Sequence, residues 1–581
     1  MLILMKEHTY KWEDIDLAQA RAEVFRMQKR IFRKSKDSSR TEIHALQQLL
    51  VKSWHACYLA VYRAAEESKG KGTAGIDGQK DLTDPQKLQL AKRLCITQRP
   101  KPVRRKQIPK PGSTQLRPLG IPTIADRALQ QLIVFALEPE WEAHFAPHQY
   151  GFRRGYSCHD ALISIKRHIQ HGPKWVLDAD IEKFFDRLDH SALMKKLDTW
   201  PRMRIAILRI LKSGAMDGSE LVPSDQGTPQ GGPLSPLLAN IALSGLERAL
   251  GAALKVGTKM GEYRVSKPPR IVIYADDFVV LHEHRAVVEA AKVFIEGWLR
   301  PLGLNLSPTK TRITHTLEKV DGQQAGFDFL GCRVQQFPVG KYALSSHSKR
   351  VWTGIRPSKK GVQRLLENCK DTIRGKGPHK KRNAIYQQRL KKGQAGTIEV
   401  MIIHLNPGIR GWCKYHRFHN AKKTFARIDN DLFHMLWAWA KRTFPRRGHK
   451  RLVKELWLAQ GSPWTFRDPL PSSGEPRELY KAASTPIRKH TLIQSDRSFY
   501  DGDWAYWGKR RGEYPGLPKN IGGLLKRQTG KCSVCGEEIN RQDRVTTTLD
   551  QQEGKAMRTY LIHNRCDKES HDEAREGKQC P

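Results

Sequence analysis

Residues 268–283 read PPRIVIYADDFVVLHE. Two short runs, Ile271–Ile273 and Phe278–Leu281, are apolar and largely β-branched, the composition of buried strands. Between them stand Tyr274, Ala275, Asp276 and Asp277. Adjacent carboxylates at the join of two buried strands are costly unless a positive charge meets them. A hairpin turn accounts for one aspartate, because Asp is a common turn residue. It does not account for Tyr-x-Asp-Asp with apolar strand on both sides. A divalent cation at the hairpin tip does, since Mg²⁺ takes one or two carboxylates together with substrate phosphates.

A second acidic strip, VLDADIEKFFD, spans 176–186. Asp178 and Asp180 alternate along the strand it predicts and so share a face, with Asp180 at the end. If Asp180 meets Asp276 and Asp277, carboxylates from separate segments converge as two-metal phosphoryl transfer requires. One ion activates an attacking hydroxyl and the other stabilises leaving pyrophosphate. Two more stretches suit a triphosphate. QIPKPGSTQLRPLGIP (107–122) offers Lys110 and Arg117 on a Gly/Pro-turned hairpin. QGTPQGGPLSPLLANIAL (226–243) is a Gly/Pro-rich loop opening a helix, where backbone can approach a ligand closely.

The chain has 581 residues and a formal net charge of +43. That length divides into several cores. The charge calls for a polyanionic partner, nucleic acid or an acidic membrane surface. No apolar run approaches the roughly 20 residues that span a bilayer, and the opening MLILMKEHTYKWEDID is too short in its apolar part for a signal peptide. Nucleic acid is favoured, with no membrane partner. Ten cysteines, of which Cys532, Cys535 and Cys566 cluster near the C-terminus, point to a reducing, cytoplasmic compartment and a metal site.

Along the chain, LQQLLVKSWHACYLAVYRAA (46–65) has helical spacing and precedes a Gly-rich loop at 70–79. DRALQQLIVFALEPEWE (126–142) predicts a helix capped by Asp126. Between 341 and 460 there are 29 Lys and Arg against 6 acidic residues, a strongly basic domain. Within it Phe425, Ile428, Leu432, Met435 and Trp439 form one helical stripe, read as bundle core. SFYDGDWAYWGKRRGEY (498–514) interleaves aromatic and basic residues, a pattern that serves base stacking or core packing.

The ordered blocks IPKPGSTQLRPLGIPT, QYGFRRGYSCHDAL, LDADIEKFFD, GTPQGGPLSPLLANI, YADD, GLNLSPTKTRI and FDFLG resemble those of a reverse transcriptase, specifically of group II intron-encoded proteins. IRGWCKYHRF (409–418) resembles the maturase, or thumb, domain, and TPIRKHTLIQSDRSFYDGDWAYW (485–507) more loosely the DNA-binding region. The resemblance implies a multidomain α+β, right-hand polymerase. Its expected parts are a helical N-terminal extension and start of fingers (1–95), fingers and palm (96–345), an α-helical thumb/maturase domain (346–460), a basic DNA-binding region (461–528) and a degenerate HNH-like zinc module (529–581). It implies RNA-directed DNA synthesis on dNTPs, with binding of group II intron RNA and target DNA for splicing and retrohoming.

Position by position, the resemblance makes Asp180, Asp276 and Asp277 the catalytic triad for two Mg²⁺ ions, with the Ile181 carbonyl completing the shell. Amides of Lys183 and Phe184 would hold the triphosphate, and Phe185 would stack under the sugar and exclude a 2′-hydroxyl. Lys110 and Arg117 would grip phosphates, Gln230 would contact nucleotide and template, and Lys310 would assist pyrophosphate departure. Phe329, Leu330 and Gly331 correspond to the primer grip, although Phe329 and Leu330 also read as plain core.

In the tail, Cys532-x-x-Cys535 and His563-x-x-Cys566 suit a tetrahedral Zn²⁺, with His571 as the alternative fourth ligand. An HNH nuclease carries a His base between its ligand pairs, but NRQDRVTTTLDQQEGKAMRTYL (540–561) has none. Cleavage is therefore expected to be weak or lost, with the primer supplied from elsewhere, such as nascent strands at replication forks. Two other readings are a splicing chaperone without polymerase activity and a reverse transcriptase repurposed for defence or spacer acquisition.

Overall fold

The strands flanking the paired aspartates read as unbroken apolar runs because both of their faces are covered. In the computed structural model, β1 (Trp175–Asp180), β2 (Arg270–Tyr274), β3 (Asp277–His282) and β4 (Arg312–His315) form an antiparallel sheet of order β4-β1-β3-β2. Leu177, Ile271, Ile273, Phe278 and Val280 join one core with the helix Arg285–Leu299. The alternate residues Val176, Val272, Val279 and Leu281 join another with the helix Cys158–Ile169. Period-two alternation thus feeds two cores. The structure describes residues 11–567 apart from 38–39, 110–115, 219, 224–225, 229–230, 261–262, 340–350, 376–396, 460–461, 469–476, 495–496 and 551–557.

Helices Leu17–Asp37, Arg40–Lys52 and Trp54–Tyr62 pack around the helix Ile124–Glu142. Pro139 has no N–H to give the carbonyl of Phe135, one turn earlier. The buried Gln28 supplies the missing donor, Nε2 to Phe135 O at 3.0 Å. The cap of this helix differs from expectation. Thr123 is the N-cap, accepting from the Asp126 amide at 3.1 Å, and Asp126 sits inside the first turn.

The fingers hairpin pairs Val103–Pro109 with Leu116–Ile121. A second antiparallel sheet holds β5 (Phe327–Phe329), β6 (Cys332–Pro338) and β7 (Val351–Pro357), so this sheet runs beyond residue 345. Next come helices Lys359–Ile373, Thr397–His416 and Lys422–Thr443, which bury Leu365, Leu405, Ile409, Phe425, Ile428, Leu432 and Trp439 in one core. Met435 is only half-buried there, and Leu436 takes the inward position.

The aromatic segment 498–514 is also core. Phe499, Tyr500, Trp507 and Tyr514 are buried with Phe25 and Phe32 of the N-terminal helix, so packing accounts for these four rings and base stacking does not. Tyr500 donates to Glu138 Oε2 at 2.7 Å. Asp160, wholly buried, receives two Arg510 hydrogen bonds at 2.6 and 2.7 Å, His490 Nε2 at 3.0 Å and the Ile493 amide at 3.0 Å. Among the described residues no helix is long and apolar enough to cross a membrane.

Burial works against the Asp160 charge, but His490, the Arg510 guanidinium and Ser157 outweigh it and hold the carboxyl at about 2. The folded value lies below the ordinary one, so this contribution to stability is complete above about pH 4 and vanishes as pH falls toward 2. Asp160→Ala should cost about 3–5 kcal/mol by stranding Arg510 and His490. Faster tryptic cleavage near residues 488–497 and a lower urea midpoint would register it.

Candidate functional site

Tyr274 and Asp277 close the β2–β3 hairpin, leaving Ala275 and Asp276 as a two-residue turn with Ala275 at φ 58°. Strand register then places Asp180, the last residue of β1, directly opposite Asp277. The Ile181 amide bonds to Asp276 O at 3.2 Å, which ties the end of β1 to the turn. The three expected carboxylates therefore meet at one sheet end.

Their charges are poorly offset. Burial, a hydrogen bond with Asp180 and the charges of Asp276 and Asp180 push the Asp277 carboxyl up to about 8, against a smaller opposing effect of Lys310. Burial chiefly raises Asp276 as well, moderated by Arg117 and Lys310. Lys310 Nζ lies 2.5 Å from Asp180 Oδ2. Its turn is held by the Ser307 amide, which donates to Asp180 O at 2.8 Å. A carboxylate cluster that binds a proton near neutrality is a fitting donor set for divalent cations. Asp178 is not part of it. Arg312 grips Asp178 Oδ2 through Nε at 3.0 Å and Nη2 at 2.8 Å.

Ile181 is buried, and Lys183 takes a left-handed conformation (φ 47°) ahead of the short helix Phe184–Arg187. Phe184 is buried; Phe185 is half-buried, 5.5 Å from it edge to face. The glycine loop lies against Phe185. Thr228 donates its amide to Phe185 O at 2.6 Å, and a Cβ on Gly227 (φ 79°) would stand 2.4 Å from that oxygen. Arg117 is exposed on the fingers strand opposite Ile108. Lys110, Gln230 and His571 lie outside the described residues.

Leu330 (φ 48°) and Gly331 (φ 73°) form the tight β5–β6 turn. Tyr415 donates to Leu330 O at 2.7 Å and the Ser358 amide to Gly331 O at 3.0 Å, so the basic domain holds this turn. Phe329 is buried in the core below it.

Sequence reasoning missed the clamp on the Ala275–Asp276 turn. A Cβ on Gly151 would stand 2.3 Å from the Ala275 nitrogen. Asn240 donates to Gly151 O at 2.8 Å, and Gln149 donates to Asn240 O at 2.9 Å. A lone buried Asn in PLLANIAL was the available signal.

In the tail, the ligand atoms of Cys532, Cys535, His563 and Cys566 all lie within 4.8 Å of one another. Cys535 Sγ is 3.4 Å from His563 Nδ1, and Cys532 Sγ 4.0 Å from Cys566 Sγ. Tetrahedral zinc with bonds of about 2.3 Å separates thiolates by roughly 3.8 Å. His563 Nε2 faces Asp543 Oδ2 at 3.3 Å, as an outer-shell carboxylate would.

Residues 108–334 match the family described as reverse transcriptase (RNA-dependent DNA polymerase), and residues 12–94 its N-terminal domain. The chain is a reverse transcriptase, with the corresponding fingers and palm. Residues 380–457 match the group II intron maturase-specific domain. The group II intron-encoded protein LtrA of Lactococcus lactis subsp. cremoris is 34% identical over 425 residues, covering 62% of this chain and 68% of LtrA. Protein YkfC of Escherichia coli K12 is 32% identical over 306 residues, 47% of this chain and 78% of YkfC. A putative COX1/OXI3 intron 1 protein of Saccharomyces cerevisiae is 28% identical over 148 residues, 25% of this chain and 18% of its own. The chain belongs to the group II intron-encoded proteins, and it is an RNA-directed DNA polymerase and maturase.

Asp277→Asn removes one of three crowded carboxylates at constant shape. The metal-free variant should unfold about 2 °C higher than the wild type, for a gain of about 1 kcal/mol. Mg²⁺ should raise the wild-type midpoint and leave the variant's nearly unchanged in a thermal melt.

Proposed function

We propose that Asp180, Asp276 and Asp277 are the catalytic carboxylates and, with the Ile181 carbonyl, hold two Mg²⁺ ions. The observation that carries this is the register: Asp180 opposite Asp277, Asp276 in the adjoining turn, and an Asp277 carboxyl driven up to about 8 by its neighbours. Bound there, the ions would lower the pKa of the primer hydroxyl and offset charge on the leaving pyrophosphate. Backbone amides of Lys183 and Phe184 hold the triphosphate, while Lys110 and Arg117 reach it from the fingers. Phe185 packs under the sugar and selects dNTPs. Lys310, 2.5 Å from Asp180 Oδ2, is placed to reach departing pyrophosphate. Gln230 contacts the incoming nucleotide and template; Leu330 and Gly331 steady the primer, with Phe329 serving as the core support beneath them.

Primer extension on an RNA template tests this. Asp276→Asn should lose about 10³-fold or more in incorporation, the equivalent of several kcal/mol of transition-state stabilisation. A wild-type preparation that supports splicing but adds no nucleotide would favour the splicing-chaperone reading. The partners are intron RNA and target DNA in the cytoplasm, gripped by a chain of net charge +43. Binding should weaken by about 10³-fold or more between 50 and 200 mM salt, as for proteins neutralising about 6–10 phosphates.

The tail closes on one Zn²⁺ through Cys532, Cys535, His563 and Cys566, supported by the 4.8 Å cluster, and cuts DNA weakly or not at all. Zinc analysis of the purified chain should give one equivalent, lost in Cys532→Ser, with no strand nicking in either protein. Nicking that disappears with His571→Ala while zinc stays bound would contradict the structural role.

A further inference from the structure

Between Gln149 and Tyr156 the chain joins the catalytic hairpin to the rest of the body, and every side chain but one has a place in the protein. Gln149 binds Asn240 and Gly151 abuts Ala275. Arg153 is buried against Glu142 at 2.9 Å, and the Arg154 guanidinium lies 4.7 Å from the Phe499 ring centre. A Cβ on Gly155 would meet Trp507 at 2.4 Å, while Tyr156 donates to Arg497 O at 2.7 Å. Phe152 is the one exposed residue of the block, 52% accessible, with φ 57°. A bulky apolar residue in a left-handed conformation is disfavoured both by its β-carbon and by its exposure. Such strain persists where surrounding structure imposes it, and it clusters at functional sites.

The sheet order fixes which side of the site this ring flanks. Lys310 and Asp180 belong to the β4–β1 side, whereas Gln149 bridges Ile273 on the outer edge of β2. On the triad reading above, on which this step rests, triphosphate lies toward Lys183 and Lys310. In-line transfer then brings the primer end from the opposite side, that of β2 and Phe152. We infer that Phe152 is a binding residue for the primer–template duplex, its ring packing against sugars and base faces of the terminal pair. An aromatic face contacts any base sequence, as a polymerase requires.

Phe152→Gly separates this role from a structural one, because glycine relieves the backbone strain while removing the ring. Affinity for a labelled DNA primer annealed to an RNA template, measured by anisotropy without dNTP, should fall about tenfold, the order of one lost aromatic–base contact. The melting temperature should stay level or rise, and Phe152→Leu should keep part of the affinity. An unchanged Kd in Phe152→Gly overturns the inference, as does a melting temperature lowered by several degrees, which would make the ring a core element. Asp277→Asn keeps the two readings apart. It should bind duplex normally yet fail to extend it, and extension by that variant would sink the triad while leaving the Phe152 measurement intact.

Discussion

Carboxylates repel each other most where water is scarce, and here the fold sets Asp180 against Asp277 across one register pair with Asp276 in the adjoining turn. Lys310 offsets only part of the cost of that arrangement. It persists because the strands behind it are buried on both faces, with Val176, Leu177, Phe278, Val279 and Val280 all fully inaccessible. Slipping the register by one residue would turn these side chains to the wrong core, at a packing cost of about 1–3 kcal/mol for each one that does not fit. Hydrophobic burial thus holds electrostatic repulsion in place. The crowding persists because the protein cannot relax away from it.

The same logic extends outward from the turn. Gly151 presses on Ala275, Asn240 clamps Gly151, and the rest of the block reaches Glu142, Phe499 and Trp507. The β2–β3 hairpin therefore shares a continuous body with the N-terminal helix and with residues 498–514. Asp160 is a second tie between the same parts, since its oxygens accept from Arg510, His490 and the Ile493 amide. A segment whose composition suits nucleic-acid contact is, through its aromatic residues, part of the polymerase core.

What could be read from the sequence follows the range of the interactions. The YADD hairpin, the strand ending at Asp180 and the paired Cys and His residues of the tail are legible because each is a pattern of particular residue types at short spacing. The capping residue of the helix Ile124–Glu142 was misplaced, because Thr123 and Asp126 are both capping types and only backbone geometry separates them. Partnerships such as Asp160 with Arg510, 350 residues apart, leave no local pattern. The role of 498–514 stayed open for the same reason. Aromatic and basic residues interleave identically whether the rings face a base or a phenylalanine from the first helix.

The tail shows how far a donor set limits chemistry. Its hydrophobic cluster is small, formed mainly by Leu524, Leu525, Ile539, Leu561 and Ile562 around Cys532 and Cys566. Clusters of that size rarely hold a fold without a staple. One zinc held by these four donors would supply such a staple, and its tetrahedral shell would leave no position for a water to be activated. Hydrolysis would then need a separate base and metal. His563, the one histidine among the described residues of this tail, is committed to the cluster with its other nitrogen turned to Asp543. The tail also continues into the polymerase body, since Trp504 donates to Arg541 O at 2.9 Å. Its geometry serves attachment and shape.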